Sequence, residues 1–438
     1  MTEITDLINS AIRKYQKNDF KSALKFAEKI LRKDAKNPDA LVIKGNVYYQ
    51  NHQISDSLQC YLKAIEADSH HQSALINIAN TYFEMKNYEQ AYQFAKRILF
   101  EDNSHKTALS ILGNSALELE KYEESKSAFL KILQQDSVDA WSYNSLSRIY
   151  QKTEDYKRAL AYGWKAVELS GGADEQHLNF GYLLYEIEDS RLMDSIQKYA
   201  NEWITKYAQN PIVKHMGNAL LHNEKIERAD GEYVREIFDV FADDFEEVLA
   251  SLDYQAPELI MEEYKQILSE KKDFKQEVLD VGCGTGLCGI LLKKINSKIV
   301  LYGIDISEKM LEKARQKKCY RKLIKDDLEN YFSVSKKQFD TIVAADVLTY
   351  FGELKTLFKG FHKILSEKGC VIFTVSANTV NEQDYFLHPS GRFLHHKNYV
   401  KKVLKDSGFE IKKMSEKILR KEGGKDVLGY IITAIKKA

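Results

Sequence analysis

Two hydrophobic patterns divide the chain of 438 residues. In the first half, small residues recur on a step of 34 positions over five cycles without a gap. They are Ala11, Gly45, Ala79, Gly113 and Ser147. A bulky residue follows each of them nine positions later: Phe20, Ile54, Tyr88, Tyr122 and Tyr156. This period predicts stacked pairs of helices, because one pair alone leaves an apolar face uncovered.

The polar positions between these helices agree with the same prediction. Residues 17–19, 86–87 and 154–155 are polar or charged where each pair must turn. The segment resembles the tetratricopeptide repeat family, with a sixth, degenerate unit near 177–206 in which Ser190 replaces the expected ring. The resemblance implies a solenoid whose concave surface binds a protein or peptide. Support of assembly alone is the alternative.

Beyond residue 206 the period fails, and from residue 277 short β-branched runs alternate with helical ones. Strands are predicted at 277–282, 298–305, 322–327, 339–346 and 369–376, followed by a hairpin that turns around Gly423 and Gly424. Helices are predicted at 307–318, 352–365 and 396–408. This order predicts a Rossmann-like, mostly parallel sheet of seven strands flanked by helices. The fold class is therefore α plus α/β, with a helical solenoid at 1–206, connecting helices at 207–260 and the sheet domain at 261–438.

The composition limits the binding partners and the cellular compartment that we expect for this protein. Lysine plus arginine equals aspartate plus glutamate, at 64 each, so nucleic acid and anionic membranes are not the expected partners. The five cysteines form no C-x-x-C pair, so we expect free thiols, no metal and a cytoplasmic location. No signal-peptide core and no run of membrane-spanning length occurs.

The stretch VLDVGCGTGLCG, residues 278–289, places a glycine loop directly after the first predicted strand. Gly282, Gly284 and Gly286 alternate there, with Asp280 just ahead. Such a loop predicts a ligand close to the main chain at the carboxyl ends of the strands. The spacing Gly284-x-Gly286-x-x-Gly289 also fits a dinucleotide site, so the loop alone leaves the cofactor open.

Acidic residues end the next three strands, and together with the loop they resemble class I S-adenosylmethionine-dependent methyltransferases. Asp305 ends strand two, Asp326-Asp327-Leu328 ends strand three, and Ala345-Asp346 ends strand four within FDTIVAADVLTYF. The resemblance implies that S-adenosyl-L-methionine is the cofactor. It assigns Asp305 to the ribose hydroxyls, Asp327 with Leu328 to the adenine (Asp326 is the rival), and Ala345 with Asp346 to the methionine end. The full predicted cofactor set is Asp280, Gly282, Cys283, Gly284, Gly286, Asp305, Ile306, Met310, Asp326, Asp327, Leu328, Ala345, Asp346, Tyr233 and Phe241.

Aromatic residues before strand one, in residues 231–260, suggest a lid over the cofactor. They are Tyr233, Phe238, Phe241 and Phe245, with Asp239 and Asp244 as acidic positions. The segment resembles one in predicted tetratricopeptide-repeat methyltransferases, where it implies helices that cover the cofactor and shape the acceptor pocket. An amphipathic linker helix is the alternative. We call residues 231–260 the lid segment.

The chemistry that this resemblance implies requires the protein mainly to place a nucleophile and exclude water. No catalytic base is assigned; the candidates are His395, His396 and Tyr350, and Arg392 is a candidate to hold an acidic acceptor. Residues 344–347 lack the Pro-Pro clamp typical of amino methylation of nucleic acids, and the double-acid loop of protein arginine methylation is missing.

Three functions remain open. The first is a methyltransferase whose repeats recruit a protein substrate or partner. The second is a small-molecule methyltransferase whose repeats serve assembly, and the third is a binding scaffold that has lost activity. The intact glycines and acids disfavour the third.

Overall fold

A computed structural model describes residues 2–187, 189–221, 226–270, 276–422 and 424–437. Gly423, one of the two glycines of the predicted hairpin turn, lies outside these residues. The chain forms two compact units, Met1–Gly171 and Gly172–Ala438. The repeat period predicts a first domain that extends to residue 206, whereas the contacts divide the chain after Gly171 and assign the last repeat-like pair of helices to the second unit.

The first unit consists, in its described residues, of ten helices arranged as five antiparallel pairs. They are α1 (Thr2–Gln16), α2 (Phe20–Lys33), α3 (Pro38–Gln50), α4 (Ile54–Ala67), α5 (Gln72–Glu84), α6 (Tyr88–Glu101), α7 (Lys106–Glu118), α8 (Tyr122–Gln135), α9 (Ala140–Lys152) and α10 (Tyr156–Leu169). The predicted repeat architecture is confirmed.

The turn inside each pair holds one residue in the left-handed region, again on the step of 34. These are Asn18, His52, Lys86, Glu120 and Glu154, with φ between 57° and 59°. One such residue reverses the chain and lets the next helix begin at once. The side chains of Asp19, Asn87 and Asp155 then cap the second helices of their pairs.

The small residues on the 34-residue step allow the two helices of a pair to approach closely. A Cβ atom on Gly45 would lie 2.4 Å from the ring of Tyr61, and one on Gly113 would lie 2.7 Å from the ring of Phe129. Both rings are buried and come from the second helix of the same pair. Atoms do not approach this closely, so these positions exclude larger side chains.

In its described residues, the second unit begins with six α-helices that precede the sheet. They are α11 (Asp174–Glu186), α12 (Met193–Lys206), α13 (Pro211–Leu221), α14 (Gly231–Phe241), α15 (Phe245–Ser251) and α16 (Ala256–Glu270). Trp203 of α12 is fully buried and its indole N–H donates to His177 of α11 at 2.9 Å. On α13, His215 Nε2 bonds the Gly391 carbonyl oxygen at 2.8 Å, which anchors these helices to the sheet domain.

The sheet has seven strands in the described residues, in the order β3-β2-β1-β4-β5-β9-β8. The strands are β1 (Glu277–Val281), β2 (Val300–Asp305), β3 (Lys322–Lys325), β4 (Phe339–Ala344), β5 (Leu365–Ser376), β8 (Phe409–Glu422) and β9 (Lys425–Lys436). The first five are parallel, and β9 and β8 add antiparallel to β5. This confirms the predicted strands and hairpin. A short hairpin, β6 (Tyr385–Leu387) with β7 (Phe393–His395), was not predicted.

Helices cover both faces of the sheet. They are α17 (Leu287–Ile295), α18 (Glu308–Gln316), α19 (Leu328–Val334), α20 (Lys355–Ile364) and α21 (Lys397–Asp406). One buried cluster joins α16 and α17 to the strands through Ile260, Tyr264, Leu292, Val343 and Ile372. In the described part of the chain, no helix has both the length and the apolar character needed to cross a membrane.

Candidate functional site

A cleft lies at the carboxyl ends of β1, β2, β3 and β4, where the strand order reverses between β1 and β4. It encloses about 1130 Å³ of space, including its open mouth. In open parallel sheets this edge is where ligands bind. The cleft therefore occupies the position that the glycine loop indicated.

The glycine loop approaches the cleft with bare main chain in a left-handed conformation. The φ angles of Gly282, Gly284 and Gly286 are 59°, 52° and 91°. A Cβ atom on Gly282 would lie 2.4 Å from Val347, whereas one on Gly284 would meet only Phe245, at 3.6 Å. Gly284 therefore leaves room for a ligand against the loop.

The loop amides are largely used inside the protein. Cys283 N–H donates to the Ile304 carbonyl oxygen at 3.0 Å, Gly284 N–H to Asp305 Oδ2 at 2.8 Å and Gly286 N–H to the Cys283 carbonyl oxygen at 2.8 Å. A pyrophosphate group would need such donors free. These three amides are therefore not available to a pyrophosphate group.

Gly289, which completed the alternative dinucleotide spacing, lies inside helix α17 and has a packing role. A Cβ atom there would lie 2.3 Å from the hydroxyl oxygen of Tyr320. That hydroxyl donates to Asp280 Oδ2 at 2.6 Å. Gly289 thus makes space for the tyrosine that holds Asp280.

Asp305 lies at the end of β2 with both carboxylate oxygens already bonded to the main chain. Oδ2 accepts from Gly284 N–H at 2.8 Å and Oδ1 from Ser307 N–H at 2.9 Å. Each oxygen retains a second lone pair that can accept from a ligand in the cleft. Burial raises the pKa of Asp305 to about 6, against the backbone bonds that lower it.

Asp280 lies at the end of β1 and is 1% exposed. Burial raises its pKa to about 7, the Tyr320 hydroxyl acts in the opposite direction, and the neighbouring Asp305 raises it further. Two carboxyls whose ionisation is opposed by burial are suited to a ligand that carries positive charge or hydrogen-bond donors.

The acids after β3 are held in place differently. Asp326 Oδ1 accepts from Asp327 N–H at 2.9 Å and from Asn330 Nδ2 at 2.7 Å. Asp327 caps α19 through Glu329 N–H at 3.0 Å and forms an ion pair with Arg228. Both acids and Leu328 line the cleft, so the structure keeps both candidates for the adenine contact.

At the opposite end of the cleft, Asp346 adopts a left-handed conformation with φ of 57°, which is uncommon for a residue with a side chain. Its N–H donates to Thr374 Oγ1 at 2.9 Å. Arg420, which is 2% exposed, donates to both oxygens of Asp346, at 2.9 and 2.7 Å, and to Glu422 at 2.7 Å. Glu422 also pairs with Arg392. We call Asp346, Arg420, Glu422 and Arg392 together the buried ion network.

The lid segment lines the mouth of the cleft with Val234, Phe238, Phe245, Leu249 and Tyr254. Phe238 contacts both Phe245 and Tyr350 edge to face, with ring centroids 5.9 and 5.7 Å apart. These contacts place an apolar wall over the cleft and reduce the access of water.

A row of lysines on one side of α18 and its end holds the lid segment against the sheet domain. Lys309 Nζ donates to the Asp239 carbonyl oxygen at 3.1 Å, Lys313 pairs with Asp243 at 2.8 Å, and Lys317 pairs with Glu246. Ser307 Oγ also donates to Asp239 Oδ1 at 2.5 Å. Because Ser307 bonds Asp305 as well, the lid segment is connected directly to the acid of β2.

Most of the predicted site residues line one cleft. They are Asp280, Gly282, Cys283, Gly284, Asp305, Ile306, Asp326, Asp327, Leu328, Ala345, Asp346 and Tyr350, and Arg392 lines it too. Four others lie apart from it. Gly286 is the N-cap of α17, Met310 is fully buried in α18, Phe241 does not line the cleft, and Tyr233 is buried with its ring 3.9 Å from that of His215.

The two candidate histidines lie outside the cleft as well. His395 is fully buried, and its Nε2 bonds the Phe351 carbonyl oxygen at 2.8 Å. Burial lowers the pKa of His395 to about 4, so it is neutral and already engaged. His396 caps α21 by accepting from Asn398 N–H. Neither is placed to exchange protons with a ligand in the cleft.

Sequence reasoning missed four residues at the cleft or directly behind it: Arg228, Tyr254, Tyr320 and Arg420. Each lies outside the strand-end motifs, in a loop or on the last hairpin.

Comparison with protein families agrees with this geometry. Residues 272–421 match the methyltransferase domain family, residues 50–132 match the family of anaphase-promoting complex (cyclosome) subunit 3, and residues 140–170 match a tetratricopeptide repeat family. The chain therefore joins tetratricopeptide-type repeats to a domain of the S-adenosylmethionine-dependent methyltransferase class.

Among curated proteins, the chain is similar to malonyl-[acyl-carrier protein] O-methyltransferases. It is 25% identical over 171 residues to that of Legionella pneumophila, covering 38% of this chain and 58% of the relative. It is 33% identical over 109 residues to that of Priestia megaterium, covering 24% and 39%. The chain thus spans between about two fifths and three fifths of the length of these relatives.

Among solved structures, the chain is similar to magnesium protoporphyrin IX methyltransferase from Synechocystis PCC 6803 with bound SAH. The identity is 18%, the TM-score is 0.39, and the match covers 48% of this chain and all of that one. A second similar structure is the tetratricopeptide repeat protein YrrB, at 20% identity and a TM-score of 0.36, over 39% of this chain and 88% of that one.

Proposed function

We propose that this protein is an S-adenosylmethionine-dependent methyltransferase whose repeat unit recruits a protein, as substrate or as partner. The observation that carries the proposal is the cleft itself. Its glycine loop offers bare main chain with its amides engaged, and buried carboxylates on β1 and β2 face the same space. A cationic ligand with hydroxyl donors fits this arrangement better than an anionic one.

The cofactor, when bound, supplies an activated methyl group. The protein's own residues then bind the cofactor and orient it. We infer that Asp305 accepts from ribose hydroxyls, that Leu328 with Asp326 or Asp327 contacts the adenine, and that Ala345 borders the methionine end. Phe238 and Tyr350 pack together on the opposite side of the cleft and exclude water.

The assignment of the repeats to protein recruitment rests on their architecture, since stacked helix pairs present a continuous surface to a partner. Assembly of copies of this chain, with a small-molecule acceptor, is the second candidate. All five cysteines are free thiols, which supports a reducing compartment such as the cytoplasm.

The raised pKa values of the two buried acids predict that cofactor affinity increases with pH. Asp305 and Asp280, with pKa values near 6 and 7, must ionise to attract a cation and to accept its donors. We expect affinity for S-adenosylmethionine to rise from pH 5.5 to pH 8, by roughly tenfold if one proton is released. Titration calorimetry in two buffers of different ionisation enthalpy measures both the affinity and the proton release.

The stability of the free protein should change in the opposite direction. A carboxyl whose pKa is raised in the folded state contributes stability below its unfolded value of 3.8, and that contribution is lost as the pH rises through about 6 and 7. Because the cofactor is expected to bind more tightly at pH 8, the increase in melting temperature that it produces should be larger at pH 8 than at pH 5.5. An affinity independent of pH would contradict the placement of these two acids.

Labelling in cell extract tests the proposed activity and separates its two forms. The full chain is incubated with extract and S-adenosylmethionine carrying a tritiated methyl group, and the products are divided by mass. Label in the protein fraction supports recruitment of a protein substrate, and label confined to the low-mass fraction supports the small-molecule form. No cofactor binding in calorimetry would overturn the methyltransferase proposal itself.

A further inference from the structure

Basic residues are concentrated where α18 ends and the edge strand β3 begins. Residues 313–325, KARQKKCYRKLIK, contain seven lysines and arginines and no acid, although the whole chain carries 64 basic and 64 acidic residues. Lys313, Arg315 and Lys317 each form an ion pair with an acid from elsewhere in the chain. The excess positive charge of this segment therefore comes mainly from its other cations.

Three of these cations form no ion pair and no side-chain hydrogen bond within the described part of the chain. They are Lys318, Arg321 and Lys322, and all three are exposed. Together with Arg315 they line a pocket of about 450 Å³, including its open mouth, and no described residue that lines this pocket is acidic. We call it the basic pocket. Four like charges around one space repel one another, and an anion placed between them would relieve that repulsion.

Two ordinary roles of basic residues explain only part of this arrangement. A cation near a helix C-terminus stabilises the helix, and α18 ends at Gln316. Lysine on an edge strand hinders pairing with another chain, and Lys322 and Lys325 have that position on β3. Neither role requires Arg321, which lies between the helix end and the strand, and neither requires the side chains to surround one pocket. Their convergence is what indicates a ligand.

The main chain that carries these cations is fixed on both sides of the basic pocket. Lys318 adopts the left-handed conformation, with φ of 53°, and its N–H donates to the Arg315 carbonyl oxygen at 3.2 Å. Arg321 N–H donates to the Leu301 carbonyl oxygen of β2 at 2.8 Å. A tight turn and a bond to the sheet therefore hold the two residues in place, as a binding site requires.

Tyr320 lines the basic pocket with a ring that is held from behind. Its hydroxyl donates to Asp280 Oδ2 at 2.6 Å, and a Cβ atom on Gly303 of β2 would lie 3.0 Å from the ring. Tyr320 is the one aromatic residue among the described residues that line this pocket, and most of its surface is buried. The pocket therefore offers little surface on which a nucleic-acid base could stack, which favours a compact anion over a nucleic-acid strand.

We propose that the basic pocket binds a phosphate group, at a site separate from the cleft. A phosphate group carries up to two negative charges and several acceptor oxygens, so it can engage several cations at once, whereas one carboxylate carries a single charge. Arg321 presents a planar fork that bonds two phosphate oxygens, and Lys318 and Lys322 add point charges. The group belongs either to a free small molecule or to a phosphorylated protein segment. The proposal goes beyond the proposed function and does not depend on it.

Pyrophosphate is the first probe of the basic pocket. Calorimetry at pH 7.5 and constant ionic strength compares pyrophosphate with citrate, whose similar charge is carried by carboxylates. We expect pyrophosphate to bind at least about fivefold more tightly, because each of its phosphate groups can accept from several cations of the pocket. Equal affinities would show that the protein responds to overall charge alone, which would overturn the phosphate assignment.

Hydrogen exchange of the full chain locates the bound anion. We expect pyrophosphate to slow exchange in residues 314–323 and to leave the glycine loop, residues 282–286, unchanged. Slower exchange in the loop without any change in residues 314–323 would place the anion in the cleft and would contradict the proposal.

A double variant tests the contribution of the unpaired cations. We expect Lys318→Gln combined with Arg321→Gln to weaken pyrophosphate binding at least about tenfold, since two charge-assisted contacts are lost. Lys401→Gln combined with Lys417→Gln removes the same charge from exposed positions of the same domain and should change the affinity by less than about twofold. An equal loss of affinity in the two double variants would attribute the binding to net charge and not to this pocket.

Three further ligands distinguish the sources of the phosphate group. A nucleoside diphosphate represents small molecules, and a peptide with one phosphoserine, compared with its unphosphorylated form, represents modified proteins. Either ligand supports the proposal if its binding is lost in the Lys318→Gln, Arg321→Gln variant. The third is a single-stranded oligonucleotide. If it bound while pyrophosphate, the nucleoside diphosphate and the phosphopeptide did not, a nucleic-acid surface would replace the phosphate site.

Discussion

Arg420→Met will destabilise the last hairpin of the sheet by about 3 kcal/mol, the lower end of the range for breaking a buried ion pair. Arg420 is 2% exposed and donates to three carboxylate oxygens on Asp346 and Glu422. Methionine fills a similar volume but removes the two hydrogen bonds that Arg420 donates to Asp346. Glu422 keeps Arg392, and the 16% exposure of Asp346 allows some rehydration, which places the expected loss at the low end.

Hydrogen exchange measured on the full chain is suited to this prediction, because a chain of two compact units does not unfold in one step. Amides of β8 and β9 should exchange faster by a factor that corresponds to about 3 kcal/mol, while those of α1 to α10 stay unchanged. Arg321→Met, at an exposed position, should change protection by less than about 0.5 kcal/mol.

A second substitution separates the unpaired charge from the loss of packing. If the cost arises from an uncompensated carboxylate, Asp346→Asn combined with Arg420→Met should recover part of the lost stability. If the double variant is as unstable as the sum of the two single variants, the ion pair itself contributes little. Unchanged exchange in β8 and β9 for Arg420→Met would show that the network is not structural.

The strand-end residues could be predicted from sequence because parallel strands bring their carboxyl ends to one edge. Knowing that Asp280, Asp305 and Asp346 each end a strand is enough to place them together, without knowledge of any side-chain contact. Their neighbours along the chain, such as Cys283 and Ile306, follow with them into the cleft.

The lid segment shows where that reasoning fails, because a helix has faces that composition does not reveal. Val234 and Phe238, four residues apart, line the cleft, whereas Tyr233 and Ile237 point into the core. The aromatic content of the segment indicates a role at the cleft, but Tyr233 and Phe241, which the sequence analysis predicts as cofactor residues, do not line the cleft. The direction of the helix axis relative to the sheet decides this, and it depends on contacts with α13 and α18.

Arg420 was beyond sequence reasoning for a related reason. It lies 74 positions after Asp346 on an antiparallel strand whose register shifts between Ile418 and Arg420. A shift of one residue moves a side chain to the other face of a sheet. The pairing of β8 with β9 was predicted, but the irregularity that directs Arg420 towards the cleft has no signature in the sequence.

Asp305→Ala will weaken the binding of S-adenosylmethionine by about 1.5–3 kcal/mol, the range for hydrogen bonds to a charged group, which is roughly 10- to 150-fold in Kd. The carboxylate is removed from the centre of the cleft, and with it the acceptor that we assign to the ribose hydroxyls. Calorimetry at pH 8, where Asp305 is ionised in the unmodified protein, measures the full effect.

Loss of the loop conformation is the competing explanation, because Asp305 also accepts from Gly284 N–H and Ser307 N–H. Asp305→Asn retains the size and one acceptor oxygen, so the loop should be disturbed less while the charge is lost. Asp426→Ala, at an exposed position on the last hairpin, is the matched control and should bind normally.

Comparison of two ligands then decides what Asp305 contributes. S-adenosylhomocysteine has the same ribose but no positive sulfur. If Asp305 acts through the ribose hydroxyls, Asp305→Ala should weaken both ligands by the same factor. If it acts through charge, S-adenosylmethionine should lose more. A folded variant, with unchanged hydrogen exchange in β1 and β2, that binds both ligands as tightly as the unmodified protein would remove Asp305 from the cofactor site. The cleft would then need another occupant.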